Sequence, residues 1–283
     1  MRPEGIPPLT LVPEDEPGEA KLSLRGVSKW YESARGERIH ALDDVTFDVA
    51  ENEFLCLLGP SGSGKSTILN LLAGHERPNR GQVLIDATPV RSPGPDRAML
   101  FQDPALFPWM SIGGNVEFAL KMLGVPPGER RERSMYWLAK VHLIRWAHAQ
   151  PHELSAGMRQ RAALARALAC RPVVLLADEP FGSLDAQARE ALQGEVQQIW
   201  SETGTTFVFV THNVREAALL ADRVLLMSAA PGTMLEEYRI RVPRPRHLED
   251  ALLSRVVVDI HDRLEEEVHK VVARETGEQP DLP

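Results

Sequence analysis

The chain has 283 residues, 43% of them hydrophobic, which is enough to build a substantial core in one large domain or a domain with an appendage. Its net charge of −8 lacks the basic excess of a dedicated nucleic-acid binder. The two cysteines, Cys56 and Cys170, are far apart and suggest neither a disulfide framework nor a zinc site, which fits a reducing cytosol.

Residues 1–20 (MRPEGIPPLTLVPEDEPGEA) are rich in proline and glutamate and have no apolar centre, so they read as a disordered leader and not as a signal peptide. No uninterrupted apolar run is long enough to cross a bilayer, so any role at a membrane is expected from the cytoplasmic side. From Lys21 the pattern predicts short alternating strands at Leu22–Val27 and Val45–Val49, with a loop over Glu32–Arg38 between them. Phe54–Leu58 is a continuous apolar run that stops at glycine, as a buried parallel strand does. Thr67–Gly74 then has helical spacing.

Further apolar runs at Val83–Ile85, Ala98–Phe101, Val173–Ala177, Phe207–Val210 and Val224–Met227 are separated by helical stretches, the alternation of a parallel α/β sheet. Between Pro104 and Pro151 helices dominate (Asn115–Leu123 and Glu129–Val141), which predicts a helical subdomain inserted at about 104–160 into a body spanning 21–230. Residues 231–283 read as a C-terminal extension. In it Pro243, Arg244, Pro245 and Arg246 favour an extended stretch. Leu252, Val256, Ile260, Leu264, Val268 and Val272 follow as a stripe on an amphipathic helix. Such a stripe is expected to pack on its own domain; a dimer contact is the other reading.

The strongest chemical signal is Gly59-Pro60-Ser61-Gly62-Ser63-Gly64-Lys65-Ser66, followed by Thr67, which matches G-x-x-x-x-G-K-[ST] between a buried strand and a helix. Glycines let the backbone curl so that several N–H groups point at phosphate oxygens, and the helix adds the positive end of its dipole. Lys65 is placed to reach phosphates and the Ser66 hydroxyl to ligate Mg²⁺. A second element is the strand Val173–Ala177 ending in Asp178-Glu179-Pro180, which puts two carboxylates at the edge of a sheet where ligands bind. Acidic residues after a strand also serve as helix caps; beside a phosphate loop, Asp178 suits a magnesium shell and Glu179 an attacking water.

Leu154-Ser155-Ala156-Gly157-Met158-Arg159-Gln160-Arg161 resembles the signature motif of ABC ATPases, L-S-G-G-Q. The rest of that family's order is present: phosphate loop, Gln102 after a strand, signature, Asp178–Glu179, Ser183-Leu184-Asp185 and His212, over about Lys21 to Ser228. The resemblance implies a P-loop α/β fold of the ABC type, with a mixed sheet core, an antiparallel β edge and an inserted helical subdomain. It implies that ATP and Mg²⁺ are bound, that Tyr31 stacks on adenine, and that Gln102 touches Mg²⁺ and water. It further implies that His212 contacts the γ-phosphate and that Asp185 couples two active sites. Ser155 and Gly157, at the start of a helix, would face the γ-phosphate held by a second copy, giving a head-to-tail homodimer. Ala156 departs from the usual glycine, yet alanine tolerates helical and extended angles.

Other members of the wider group act on DNA or ribosomes. Those on chromosomes carry long coiled coils and those on ribosomes two cassettes; here there is no sustained heptad and only one phosphate loop. Phe101-Gln-Asp-Pro-Ala-Leu-Phe-Pro-Trp109 is similar to the nitrate, sulfonate and taurine importers. That likeness implies transmembrane permease subunits, a solute-binding protein and no nucleic acid as partners, with an importer of a different solute class as the alternative. Trp109 reads either as a core-facing aromatic or as an anchor for the permease.

Overall fold

Strands β1 (Ala20–Glu32) and β2 (Arg38–Ala50) form a long antiparallel pair, and both are longer than their hydrophobic alternation alone predicts. The computed structural model describes residues 20–33 and 36–276, with side chains to residue 270; the expected leader over 1–20 falls almost wholly outside the described residues, as does the side chain of Val272. β3 (Phe54–Leu58) is buried along its whole length and leads through the glycine loop into α1 (Lys65–Ala73). Strands β4 (Arg80–Ile85) and β5 (Thr88–Pro89) join β1 and β2 in a four-stranded antiparallel sheet of order β2-β1-β4-β5.

β6 (Arg97–Leu100) precedes the helical insertion, α2 (Ile112–Met122) and α3 (Pro127–Lys140), and the chain returns along α4 (Ala156–Ala169). Then β7 (Val174–Asp178), α5 (Ala186–Thr203), β8 (Thr206–Thr211), α6 (Val214–Leu220) and β9 (Arg223–Met227) alternate as the apolar runs predict. The second sheet, which ends at β10 (Met234–Arg239), has the order β10-β9-β3-β8-β7-β6. The ladders joining β9, β3, β8, β7 and β6 are parallel, and β10 is an antiparallel edge. This is the expected fold class.

Two cores flank that sheet. On one face α1 is sandwiched with the antiparallel sheet: Leu22, Leu24, Val45, Val49 and Val83 meet Ile68, Leu69 and Leu72 and the strand residues Leu55, Leu57, Val208 and Val210. On the other face Phe54, Phe207 and Phe209 pack with the helices α2 to α6. Because strands β3, β7 and β8 are buried on both faces, they read as unbroken apolar runs.

The described part of the C-terminal extension contributes to this second core. β10 pairs with β9, and α7 (Ala251–Thr276) buries Leu253, Val256 and Ile260 there. The buried stripe is thus shifted by one residue at its start: Leu253 is fully buried while Leu252 is 64% exposed, and Val268 is 39% exposed. The expected stripe assumed strict i,i+4 spacing, whereas a 3.6-residue period selects 253, 256 and 260.

Candidate functional site: a phosphate loop at the carboxyl edge of the sheet

Four consecutive neighbours in the sheet, β3, β8, β7 and β6, run parallel and so present their carboxyl ends at one edge. The loop from Gly59 to Gly64 leaves β3, His212 leaves β8, Asp178 ends β7 with Glu179 just after it, and Gln102 follows close after β6. Residues up to 153 positions apart are brought together by topology alone, at the place where open α/β sheets bind ligands.

Gly62 and Gly64 take left-handed backbone angles (φ 79° and 87°), and a side chain on Gly64 would collide with Leu42 and the Ala41 carbonyl. These two glycines let the loop turn back over its own strand. Lys65 is buried, and its Nζ donates to the carbonyls of Gly59 (2.8 Å) and Pro60 (2.7 Å) and to Ser63 Oγ (3.2 Å). Burial pulls its pKa below the usual lysine value, and the charges of Glu179 and Asp178 push back. A buried ammonium held only by neutral acceptors, in a glycine loop that leads into the start of α1, suits a phosphate anion. Ser61 and Ser66 are exposed at the same mouth, and Thr67 is half-buried in the first turn of α1. A Cβ on Gly232 would clash with the Ser63 carbonyl, so the segment after β9 backs directly onto the loop.

Ser66 Oγ donates to Asp178 Oδ1 at 3.1 Å. Burial raises the Asp178 carboxyl, while the Ser66 hydroxyl and the Lys65 charge lower it. Serine oxygen beside carboxylate oxygen is a hard-donor pair of the kind that holds Mg²⁺ when substrate phosphates complete the shell. Glu179 has φ 43°, a left-handed angle uncommon for a residue with a side chain, and its N–H donates to the Val210 carbonyl (3.0 Å). That turn brings Glu179 Oε2 to 2.9 Å from His212 Nδ1, with His212 largely exposed. Gln102 is exposed, and its amide nitrogen would lie 3.0 Å from a Cβ on Gly182, in the turn after Glu179.

Tyr31 lies on β1 and not in the loop that follows it. Its hydroxyl donates to Glu76 Oε2 at 2.8 Å, and the Lys29 ammonium stands 4.9 Å from its ring centroid and 2.9 Å from the same carboxylate. Burial and the Glu76 charge raise its pKa, against a hydrogen bond with Thr67 of α1. Tyr31 is therefore anchored beside the phosphate loop. The Lys29–Glu76 pair that fixes it carries no motif and was not legible in the sequence.

Ser155 and Asp185 form a second group. Ser155 caps α4 by accepting from Met158 N (3.3 Å), and Asp185 caps α5 by accepting from Ala188 N (2.9 Å). Gly157 lies under Ala188, where an added Cβ would stand 3.1 Å from the alanine methyl, so the two helix starts touch. Among the described residues no hydrogen bond joins this group to the phosphate loop of the same chain. Ala156 is the first residue of α4, with a helical and not a left-handed backbone. Ala156→Gly should therefore leave steady-state ATP turnover within about twofold of the parent, because no strained angle is relieved. A large activation in a steady-state ATPase assay would mean that the methyl obstructs.

Arg166, on α4, donates to the carbonyls of Ala105 (2.8 Å) and Pro104 (3.0 Å), which ties the signature helix to the loop after Gln102. Sequence gives no warning of this tie, since arginine ordinarily reads as solvated. On the same loop Trp109 is 72% exposed, so the buried reading of that residue does not hold.

A phosphate loop on the edge of a parallel sheet, with carboxylates from a neighbouring strand, defines a nucleoside-triphosphatase of the P-loop class. The ABC transporter family profile matches residues 42–182. The chain is 43% identical to the nitrate import ATP-binding protein NrtD of Synechocystis sp. over 222 residues, which is 78% of this chain and 83% of that protein. It is 42% identical to the taurine import ATP-binding protein TauB of Pelagibacter ubique over 219 residues, 77% of this chain and 83% of that one. Among solved structures, the dimeric ATP-binding cassette MJ0796 in a post-hydrolysis state with ADP and Pi is 33% identical. It superposes with a TM-score of 0.69, covering 78% of this chain and all of the other. The chain belongs to the ABC transporter family, as one of its ATP-binding, ATP-hydrolysing subunits.

Proposed function

We propose that the chain powers solute import by closing a head-to-tail homodimer around two ATP molecules and hydrolysing them. The observation that carries this reading is the Glu179–His212 contact at 2.9 Å, beside the Ser66–Asp178 pair, at the mouth of the phosphate loop. In it Lys65 and the loop N–H groups of Gly59 to Thr67 hold the phosphates, and Tyr31 carries the adenine. Ser66, Asp178 and Gln102 hold Mg²⁺, which neutralises phosphate charge when bound. Glu179 accepts the proton of the attacking water, and His212 orients that carboxylate and the γ-phosphate. Ser155 and Gly157 of one copy meet the nucleotide of the other, which is why they stand apart from the phosphate loop of their own chain. Asp185 links the two sites.

The partners in this reading are transmembrane permease subunits and, through them, a solute-binding protein; nucleic acid is not among them. Among the described residues no helix is long and apolar enough to cross a membrane, which supports peripheral attachment, here assigned to the cytoplasmic face. Phe107 packs edge-on against Phe118 and beside the exposed Trp109, so the loop after Gln102 offers an aromatic anchor for a permease.

The cargo is a small oxyanion or sulfonate. Identity to the nitrate relative and to the taurine relative is 43% and 42%, so it does not choose between them. Deleting the gene and measuring uptake of labelled nitrate, taurine, other sulfonates and a sugar decides the matter. Loss confined to nitrate or to the sulfonates is expected. Unchanged uptake of all of these with loss of sugar uptake would sink the cargo assignment and leave the ATPase assignment intact.

A further inference from the structure

α6 follows directly on His212 and Asn213 and has seven residues, too few for a helix to persist on its own backbone bonds. Its start is capped by Asn213, whose side chain accepts from the N–H groups of Arg215 (2.9 Å) and Glu216 (3.4 Å). Its far end is held by the C-terminal Pro-Arg-Pro-Arg segment. Arg246 donates from Nη1 to the carbonyls of Ala218 (3.1 Å) and Ala221, from Nη2 to Ile240 (2.9 Å) and from Nε to Val242 (2.8 Å). Arg244 donates to the Leu220 carbonyl, pairs with Asp222, and lays its guanidinium 4.1 Å from the Trp200 ring centroid.

The main chain of Arg246 is held in turn by α5. Gln197, buried on that helix, accepts from the Arg246 N–H (3.1 Å) and donates to its carbonyl (3.4 Å). α5 begins at its cap Asp185, as α6 begins after His212. A second tie joins the two helices nearer the site, where buried Glu216 accepts from Thr211 Oγ1 (2.7 Å) and faces Arg189 of α5 at 3.7 Å.

Arg246 is 3% exposed, and all four of its guanidinium bonds go to backbone carbonyls, not to carboxylates. Burial pushes its pKa down to about 10, with Arg244 adding to the shift. An apolar residue of like volume would fill this space without a desolvation cost. What arginine adds is a rigid fork that fixes the angles between the segments it bridges.

We propose that Arg246 is a positioning residue for ATP hydrolysis: by tying the end of α6 to the C-terminal segment, its guanidinium sets the His212 loop for turnover. The proposal rests on the role given to His212 above.

The test is steady-state ATPase kinetics of the full chain with Mg-ATP, at a temperature where circular dichroism shows each variant folded. Arg246→Met should lower kcat about tenfold and leave KM for ATP within about twofold, since misplacement of a catalytic group costs rate more than binding. His212→Ala should lower turnover by itself; parental turnover in that variant would remove the reading on which the proposal stands. If His212→Ala is slow but Arg246→Met keeps the parental kcat, the proposal alone is overturned. The double variant should hydrolyse no more slowly than His212→Ala, because Arg246 acts through that loop. A further tenfold loss in the double variant, or a rise in KM matching the fall in kcat, would mean that Arg246 serves general stability instead. Where Arg246→Met does not fold, Gln197→Ala loosens the grip and keeps the cation. It should lower kcat at constant KM, and an unchanged kcat there overturns the proposal.

Discussion

Glu179→Gln binds Mg-ATP as the parent does and hydrolyses it at least about 10²-fold more slowly, a loss on the order of 3 kcal/mol of transition-state stabilisation. The substitution keeps the shape of the side chain, and the amide oxygen can still accept at the position where Oε2 meets His212 Nδ1 at 2.9 Å. It removes only the ability to take a proton from water. The backbone is also spared, because glutamine tolerates φ 43° no worse than glutamate. Substrate therefore accumulates on the protein. In a head-to-tail dimer each ATP contacts both copies, so nucleotide that cannot turn over holds the dimer closed. Light scattering should show the mass rising to that of a dimer when ATP is added to this variant, from a protein that is largely monomeric or weakly dimeric without nucleotide. Hydrolysis at the parental rate would refute the role of Glu179. A stalled enzyme whose mass never changes with ATP would refute the sandwich and leave that role standing.

The parts of the site that the sequence exposes are those where backbone geometry dictates residue type. Gly62 and Gly64 occupy left-handed angles, and a strand ending in Asp178–Glu179 needs apolar residues on both faces up to that point. The fold follows for the same reason: β3, β7 and β8 are buried on two sides and leave unbroken apolar runs. Edge and tail elements leave weaker traces. β10 carries Glu236 and Glu237 side by side and is half-buried along most of its length, so it shows no clean alternation. The first three residues of β2, Arg38 to His40, are exposed and are held extended by pairing with β1, which a reading of hydrophobicity cannot see. Least legible are the long polar ties. Arg166 to the loop at Pro104, Lys29 with Glu76 under Tyr31, and Arg246 into the end of α6 join residues that are distant in sequence and carry no local pattern. Their partners are mostly backbone carbonyls, which every residue possesses.

Lys65→Met abolishes the gain in thermal stability on adding ATP while leaving the nucleotide-free protein melting within a few degrees of the parent. In the parent the ammonium is buried and bonded to two carbonyls and a hydroxyl, and burial lowers its pKa. A lowered lysine pKa means that the folded chain holds this charge at a cost, partly offset by Asp178 and Glu179 nearby. Methionine removes the cost and keeps most of the buried stem, but it leaves the carbonyls of Gly59 and Pro60 without their donor. The two effects oppose one another, each of about 1–3 kcal/mol, so the net change without nucleotide is small. With nucleotide the balance differs. The parent gains stability by mass action, about 2.7 kcal/mol when ATP is present at a hundred times its Kd. The variant has no cation to set against the phosphates, and at the same ATP concentration its gain is close to zero. Differential scanning fluorimetry with and without Mg-ATP separates these outcomes. A Lys65→Met protein stabilised by ATP as much as the parent would show that the phosphate loop binds through its backbone alone.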